Sequence, residues 1–479
     1  MSWLKLGPKS EGRAMHKKQK TVPCPLTLGD IVAWSGGAAA LGREALKARV
    51  ATVWNDSRKV TKGDVFVALK SPQDDGHRYV NAAFAAGAAA AIVDRRARVE
   101  CARRDARKLI AVNDPLIAVQ RVAARYRKEL GILIIGVTGS SGKTTTRHFI
   151  AAVLKSAFTV GETYTNWNNH IGVPQSILRF TGDEWAGVIE MGANHEGEIS
   201  VLSKIVRPDI ALITNIGYAH VGLFGTLDAT TRAKFEIVDG LASDGFLLCN
   251  GDDPRIVAMS RKRGIRTEYF GLAPRCRIRP STVSFDLSRG LSFVLDGQEF
   301  RLEVPGRHFL YSALPAVFLG RRCGISDDRI ARILAAQRPV AMRGTMVDKQ
   351  GVRFFVDCYN ANPSSMKSAI DALGDLAEKK KKVAVVGDML ELGHHAKRLH
   401  RELGRSLAKS GIAKVVAVGD WAGAVADGAR KAGMKPGSIQ TAQKADEAAG
   451  IVKRFVAPGE IVLLKGSRGV HLETVLEQW

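Results

Sequence analysis

The sequence predicts an α/β protein of three domains: a small α/β unit, a central parallel sheet, and a Rossmann-like unit at the C-terminus. Three observations carry this. At 479 residues the chain is too long for one ordinary core. Short apolar runs recur at wide spacing with helical stretches between them, the pattern of strands joined by crossovers. Several of those runs end in polar residues, which is how a parallel sheet presents chemistry at its carboxyl edge.

In chain order, residues 26–108 alternate β-like and helical runs. "DVFVALK" (64–70) reads as a strand, "HRYVNAAFAAGA" (77–88) as a helix and "AAIVD" (90–94) as the next strand. A helix with apolar spacing, "LIAVQRVAARYRKEL" (116–130), then leads into the strand "GILIIGVTG". The central unit, 109–338, adds the buried strands "EWAGVIEMG" (184–192), "PDIALITNI" (208–216) and "GFLLCN" (245–250). From about 282 to 304 the pattern changes to hairpins, and 308–336 is helical. The last unit, 339–479, brings strands at "RFFVDCY" (353–359), "KVAVVGDM" (382–389), "KVVAVGD" (414–420) and "EIVLLKGS" (460–467).

The basic stretch 1–25 lacks the apolar run of a secretory signal and reads as a disordered extension, with Met15 as an alternative start. The longest apolar window, "AAFAAGAAAAIV" (82–93), falls well short of the roughly 20 residues that span a bilayer. Cysteines 24, 101, 249, 276, 323 and 358 are scattered with no CxxC pair, which predicts free thiols in a reducing compartment. A cytoplasmic monomer without a membrane span is expected. The net charge of +24 fits an anionic partner or simply a solvated basic surface. The basic runs "KKQK" (17–20) and "KKKK" (379–382) are short and lack interleaved aromatics, so nucleic acid is not the expected one.

A polyphosphate is. In "LIIGVTGSSGKTTTRHFI" (133–150) a strand feeds a glycine turn that opens a helix, aiming several N–H groups at one point with the helix dipole behind them. The candidates are Thr138, Gly139, Ser140, Ser141, Gly142, Lys143, Thr144 and Thr145. Lys143 would neutralise β/γ-phosphate oxygens, and the Thr144 hydroxyl would reach Mg²⁺. The strict G-x-x-x-x-G-K-T pattern is missed by one position, because Val137 stands where glycine is expected and Gly136 precedes it. Glu190 ends a buried strand, where its carboxylate could hold Mg²⁺ beside a triphosphate.

Together these motifs resemble the Mur ligase family, ATP-dependent enzymes that extend the peptide of the bacterial cell-wall precursor. The resemblance covers nearly the whole chain from about residue 26. It rests on "NDSRKVTKGDVFVAL" (55–69), "VTGSSGKTTT", "NNHIGVPQSIL" (168–178), "EMGANHEGEI", "TNIGYAHVGLFGTL", "AKFEI" (233–237), "DCYNANPSSMKSAI" (357–370), "VVGDMLELG" (385–393) and "KGSRG" (465–469). "YNANP" and "GANH" are the most specific, and they point to the branch that adds D-alanyl-D-alanine to a UDP-N-acetylmuramoyl-tripeptide. His170, Phe309, Ser312 and Val356 depart from the family's usual residues.

The resemblance implies an acyl-phosphate route to an amide bond, with ATP and two Mg²⁺ sites. Lys143, Glu190, His220 and Lys234 would be catalytic. Thr144 and Glu190 would hold one ion, and His220 with a carbamylated Lys234 the second. Asn250 and Asp357 would meet adenine and ribose, and Arg343 a phosphate. Ser57, Arg58 and Lys70 would hold the uridine diphosphate. Asn194, His195, Tyr359, Asn360 and Asn362 would line the peptide and dipeptide sites. The C-terminal domain is expected to close on the ATP site. Two rivals remain open at this stage: a sibling or folylpolyglutamate-type ligase with another amino acid, and a nucleic-acid-stimulated P-loop ATPase.

Overall fold

The computed structural model describes residues 25–219, 221–286, 289–376 and 381–479. The extension expected at 1–25 therefore lies, apart from Pro25, outside the described residues, as does His220.

Four sheets organise the described residues. The first has the order Ala38–Ala39, Leu109–Val112, Ala90–Asp94, Val65–Val67, Val53–Trp54, parallel except for the antiparallel pair at Ala38–Ala39. The second is wholly parallel: Thr267–Phe270, Phe246–Asn250, Ile210–Ile213, Leu133–Thr138, Ala186–Glu190, Val160–Glu162. A three-stranded antiparallel sheet follows over Thr282–Asp286, Gly290–Leu295 and Gln298–Leu302. The last has the order Thr345–Lys349, Val352–Val356, Ile461–Lys465, Lys382–Gly387, Lys414–Val418, Ile439–Ala442, with only the first pair antiparallel. The expected α/β class with parallel sheets is what is found.

Two expectations need correction. The first sheet does not stop at residue 108, because Leu109–Val112 pairs with Ala90–Asp94. That run is short and abuts the next helix, so it read as part of the lead-in. The helix expected at 77–88 is a 3₁₀ turn, Gly76–Tyr79, followed by an α-helix over Val80–Ala85. Asp75 caps its start by accepting the His77 N–H, and Gly87, at φ 105°, ends it.

The helix Pro115–Leu130 joins the first two units. Asp114 accepts from the N–H groups of Leu116 and Ile117, proline opens the first turn, and Gly131 in the left-handed region stops it. Its apolar face shares one continuous core with both sheets, including Val53, Ile92, Ile110, Ile134 and Ile177. Arg127 is 8% exposed and makes three hydrogen bonds. It donates to Val206 O at 2.8 Å, Arg207 O at 3.1 Å and the Asp209 carboxylate at 3.1 Å. Asp209 also accepts the Ile134 N–H at 2.7 Å. Each charge offsets the other's desolvation, and the start of the central strand is pinned to the helix.

The C-terminal unit has separate cores on the two faces of its sheet. It meets the central unit through narrow contacts. Val221, of the short helix Val221–Phe224, is buried among Met389, Leu392 and other C-terminal core residues. Among the described residues no helix is long and apolar enough to cross a membrane.

Candidate active site

The neighbouring strands Leu133–Thr138, Ala186–Glu190 and Ile210–Ile213 run parallel and deliver their ends to one edge. Beyond Thr138 the chain turns through Gly139 and Gly142, at φ 145° and 76°. A Cβ on Gly139 would lie 2.0 Å from Thr214 Oγ1, so only glycine lets the turn close on that strand end.

Asn215 holds the turn. Its backbone carbonyl accepts the Ser140 N–H and its side-chain oxygen the Ser141 N–H, each at 3.0 Å. Ser140 Oγ accepts the Gly217 N–H at 2.8 Å. The amides of Ser140 and Ser141, expected to face phosphate, are thus spent on the shape of the turn, although both residues line the cavity. The donors that remain are the opening N–H groups of the helix Lys143–Lys155, which have no intrahelical partner. Lys143 Nζ arcs back to donate to Gly139 O at 2.8 Å. Burial pushes its ammonium below the ordinary pKa, against the pull of Glu190. Thr138 Oγ1 bonds Met191 O beneath the turn at 2.8 Å.

Glu190 is 2% exposed. Its Oε2 accepts from Thr144 Oγ1 at 2.9 Å and its Oε1 from Asn168 Nδ2 at 2.8 Å. Arg147 Nε stands 3.7 Å from Oε2. The paired hard oxygens of Thr144 and Glu190 are the donor chemistry Mg²⁺ takes, so these residues fit such an ion. Lys234, on the helix Leu227–Phe235, is 1% exposed, with Nζ 5.2 Å from the Phe224 ring centre. Burial and then the charge of Lys143 lower its pKa to about 7. Its proposed partner His220 lies outside the described residues. Among the described residues no three His, Cys, Asp or Glu side chains gather as a metal cluster.

Across from the turn stands the C-terminal unit. Arg343 stacks its guanidinium 3.9 Å from the Tyr359 ring centre. The Tyr359 hydroxyl accepts from Asn166 Nδ2 of the central unit at 3.1 Å. Asn362 Oδ1 accepts the Ser365 N–H at 2.9 Å and so caps the helix Pro363–Leu376. Lys465 Nζ lies 3.0 Å from Asp357 Oδ2.

One cavity of about 950 Å³ joins these parts. It is lined by Gly142, Lys143, Thr144, Thr145, Glu190, Asn194 and Asn250 from the central unit, and by Arg343, Asp357, Tyr359, Asn360 and Asn362 from the C-terminal one. Thr138, Gly139, His195 and Lys234 do not reach its wall, nor do Ser57, Arg58 and Lys70 of the first unit. Arg58 is exposed and pairs with Asp56 at 2.9 Å. His195 is exposed too, its ring 3.3 Å from Glu198.

Sequence reasoning missed several wall residues. Asn168, which steers Glu190, and Asn166 sit in "TNWNNH"; Lys465 sits in "KGSRG". Asn168 and Lys465 fall in stretches that carry the family resemblance and Asn166 in none, and a single asparagine or lysine in a loop carries no signal of what it touches. Tyr311, donating to Asp252 at 2.8 Å, and His308 gave none either.

Comparison with known proteins agrees with this arrangement. Three family models match: "Mur ligase family, catalytic domain" over residues 49–129, "Mur ligase middle domain" over 137–320, and "Mur ligase, glutamate ligase domain" over 342–468. The UDP-N-acetylmuramoyl-tripeptide–D-alanyl-D-alanine ligase of Bacillus subtilis (strain 168) is 35% identical, covering 89% of this chain and 92% of its own. The enzyme of the same name from Escherichia coli (strain K12) is 32% identical, covering 88% and 92%. Among solved structures, MurF from Acinetobacter baumannii superposes with a TM-score of 0.84 at 30% identity, over 95% of this chain and 99% of that one. MurF from Thermotoga maritima in complex with ADP gives a TM-score of 0.78 at 28% identity, over 91% and 98%. The chain belongs to the Mur ligase family.

Proposed function

We propose that the protein is an ATP-dependent ligase that joins D-alanyl-D-alanine to a UDP-N-acetylmuramoyl-tripeptide in peptidoglycan precursor synthesis. One observation carries the reading: the glycine turn with Lys143 and the Tyr359–Asn362 loop face each other across a single cavity. A phosphate donor and an incoming amine can therefore meet the same carboxylate. The relatives that match over most of the chain bear that activity in their names.

In this reading the terminal carboxylate of the tripeptide attacks the γ-phosphorus of ATP, and ADP leaves. The dipeptide amine attacks the resulting acyl carbon, phosphate departs with a former carboxylate oxygen, and the nitrogen loses a proton. Anions are brought together in both steps, so the site must supply fixed positive charge and alignment. Lys143 and the helix N-terminus supply charge at the β/γ-phosphates, and Arg343 approaches from the opposite wall. Mg²⁺, held by Thr144 and Glu190, would neutralise phosphate oxygens. Ser57, Arg58 and Lys70 would hold the uridine diphosphate on the first unit. Asn250 and Asp357 would meet the nucleoside, and Asn194, His195, Tyr359, Asn360 and Asn362 the peptide and dipeptide. One chain supplies every wall, so a monomer suffices, and nucleotide substrates with free thiols suit the cytoplasm.

The test is a coupled assay with ATP, Mg²⁺, D-Ala-D-Ala and UDP-N-acetylmuramoyl-tripeptides ending in lysine or diaminopimelate. Ligation with the dipeptide and not with free amino acids is expected. Turnover only with a free amino acid would assign the chain to a sibling reaction.

Lys234 belongs to the same proposal as a carbamate. A buried amine whose pKa is lowered to about 7 is in part uncharged near neutral pH and can add to CO₂, releasing a proton, to become an anionic oxygen ligand that, with His220, would suit a second cation. Lys234→Ala should cut turnover by about 10²-fold or more, and a short carboxylate such as acetate should restore part of it. Full activity in the alanine variant would remove the carbamate from the mechanism.

A further inference from the structure

Lys465 ends the strand Ile461–Lys465 at the cavity wall and is 2% exposed. Its ammonium makes two hydrogen bonds and one ion pair. It donates to Asn360 O at 2.6 Å and to Asp357 O at 3.1 Å, and the Asp357 carboxylate oxygen Oδ2 stands 3.0 Å away. A buried cation engaged this way acts first on the chain it holds.

What it holds is specific. Asp357 and Asn360 are the two ends of one tight crossing at the carboxyl edge of the last sheet, the edge at which open α/β sheets bind ligands. Tyr359 lies between them, with the Arg343 guanidinium on its ring and Asn166 of the central unit on its hydroxyl. The same ammonium neutralises Asp357, a carboxylate that would otherwise face a polyanionic nucleotide bare.

We propose that Lys465 is a positioning residue for the ligation. By gripping both ends of the Asp357–Asn360 crossing, it aims that loop at the nucleotide and at the incoming amine. The proposal rests on the ligase reading above. It predicts a particular defect. With the grip lost, the carboxylate is still phosphorylated on the central unit's turn, but the amine is no longer aligned, and water takes the acyl group instead.

The experiment compares phosphate released with ligated product in the wild type, Lys465→Met and Lys465→Arg, alongside KM for the dipeptide and binding of ADP. Arginine keeps the charge, but its planar fork does not match three acceptors converging on a tetrahedral ammonium. In both variants the dipeptide KM should rise by about tenfold or more and product per phosphate should fall below about one half, while ADP binding weakens less than the dipeptide KM rises, because the P-loop itself is untouched. If the methionine variant does not fold, the arginine variant carries the test alone. One-to-one coupling in a soluble variant of a wild-type enzyme that ligates would overturn the role of Lys465. A wild type that ligates nothing would overturn the ligase reading instead.

Discussion

Lys143→Ala is expected to lower turnover by about 10²–10³-fold or more, the scale seen when one preorganised charge donor is lost from a transition state. The geometry gives the reason. Two amides of the turn, those of Ser140 and Ser141, are already bound to Asn215, so on the central unit the phosphate is left to the helix N-terminus and this ammonium. Arg343, on the opposite wall, belongs to the other unit and does not stand in the turn. Arg147, one helical turn further along, is committed to Glu162 and the edge of Glu190. The fold should survive, because Lys143 makes a single hydrogen bond to Gly139 within its own turn. Thermal unfolding should therefore stay close to wild type while ADP release in the coupled assay nearly vanishes. A variant that keeps more than about a tenth of the activity would show that phosphate charge is handled elsewhere in the cavity.

The same variant probes Lys234. The Lys143 ammonium is the second cause, after burial, of the depressed pKa of Lys234. Removing it should raise that pKa, because a like charge no longer opposes protonation.

Strands at the centre of each sheet were legible because they are buried on both faces and read as continuous apolar runs: Leu133–Thr138, Ala186–Glu190, Ile210–Ile213, Ile461–Lys465. Edge strands were not. Val160–Glu162, Thr267–Phe270, Thr345–Lys349 and Ile439–Ala442 are half-polar and short, because one side of each faces loops or solvent. The site divides in a similar way. The glycine turn was readable since its chemistry is carried by local spacing along one chain segment. Asn168 on Glu190 and Lys465 on the Asp357 crossing act across 22 and 105–108 residues. Nothing local encodes such a contact. The same limit applies to Ser140 and Ser141: the motif places their amides at the phosphate, but Asn215, 74 or 75 positions on, claims them first.

Gly222→Ala should separate the binding of nucleotide from its use. Gly222 follows the buried Val221 in the short helix that plugs into the C-terminal unit. Its N–H donates to Glu391 O at 2.8 Å, and a Cβ there would fall 2.4 Å from Gly393 N and 2.7 Å from Glu391 O. Both are backbone atoms, so no rotamer change relieves the overlap. Gly393 adds to the constraint, since it sits at φ 54° with its own missing Cβ 2.9 Å from Gly222 Cα. One methyl group must then push the two units apart. The P-loop lies wholly in the central unit, so ADP should still bind, weakened by no more than the loss of the Arg343 and Asp357 contacts. Arg343, Asp357 and Tyr359 would be displaced from the opposite wall, and a displacement on the order of 1 Å is enough to cost about 10² in rate. Gly374→Ala, in the helix Pro363–Leu376 with nothing within 4 Å of the added carbon, is the matched control and should leave kinetics unchanged. Small-angle scattering of the two variants with ADP and substrate should show the Gly222 variant more extended. Wild-type kcat in that variant would mean that the C-terminal wall contributes to the chemistry without close apposition, and the two-walled cavity would lose its place in the mechanism.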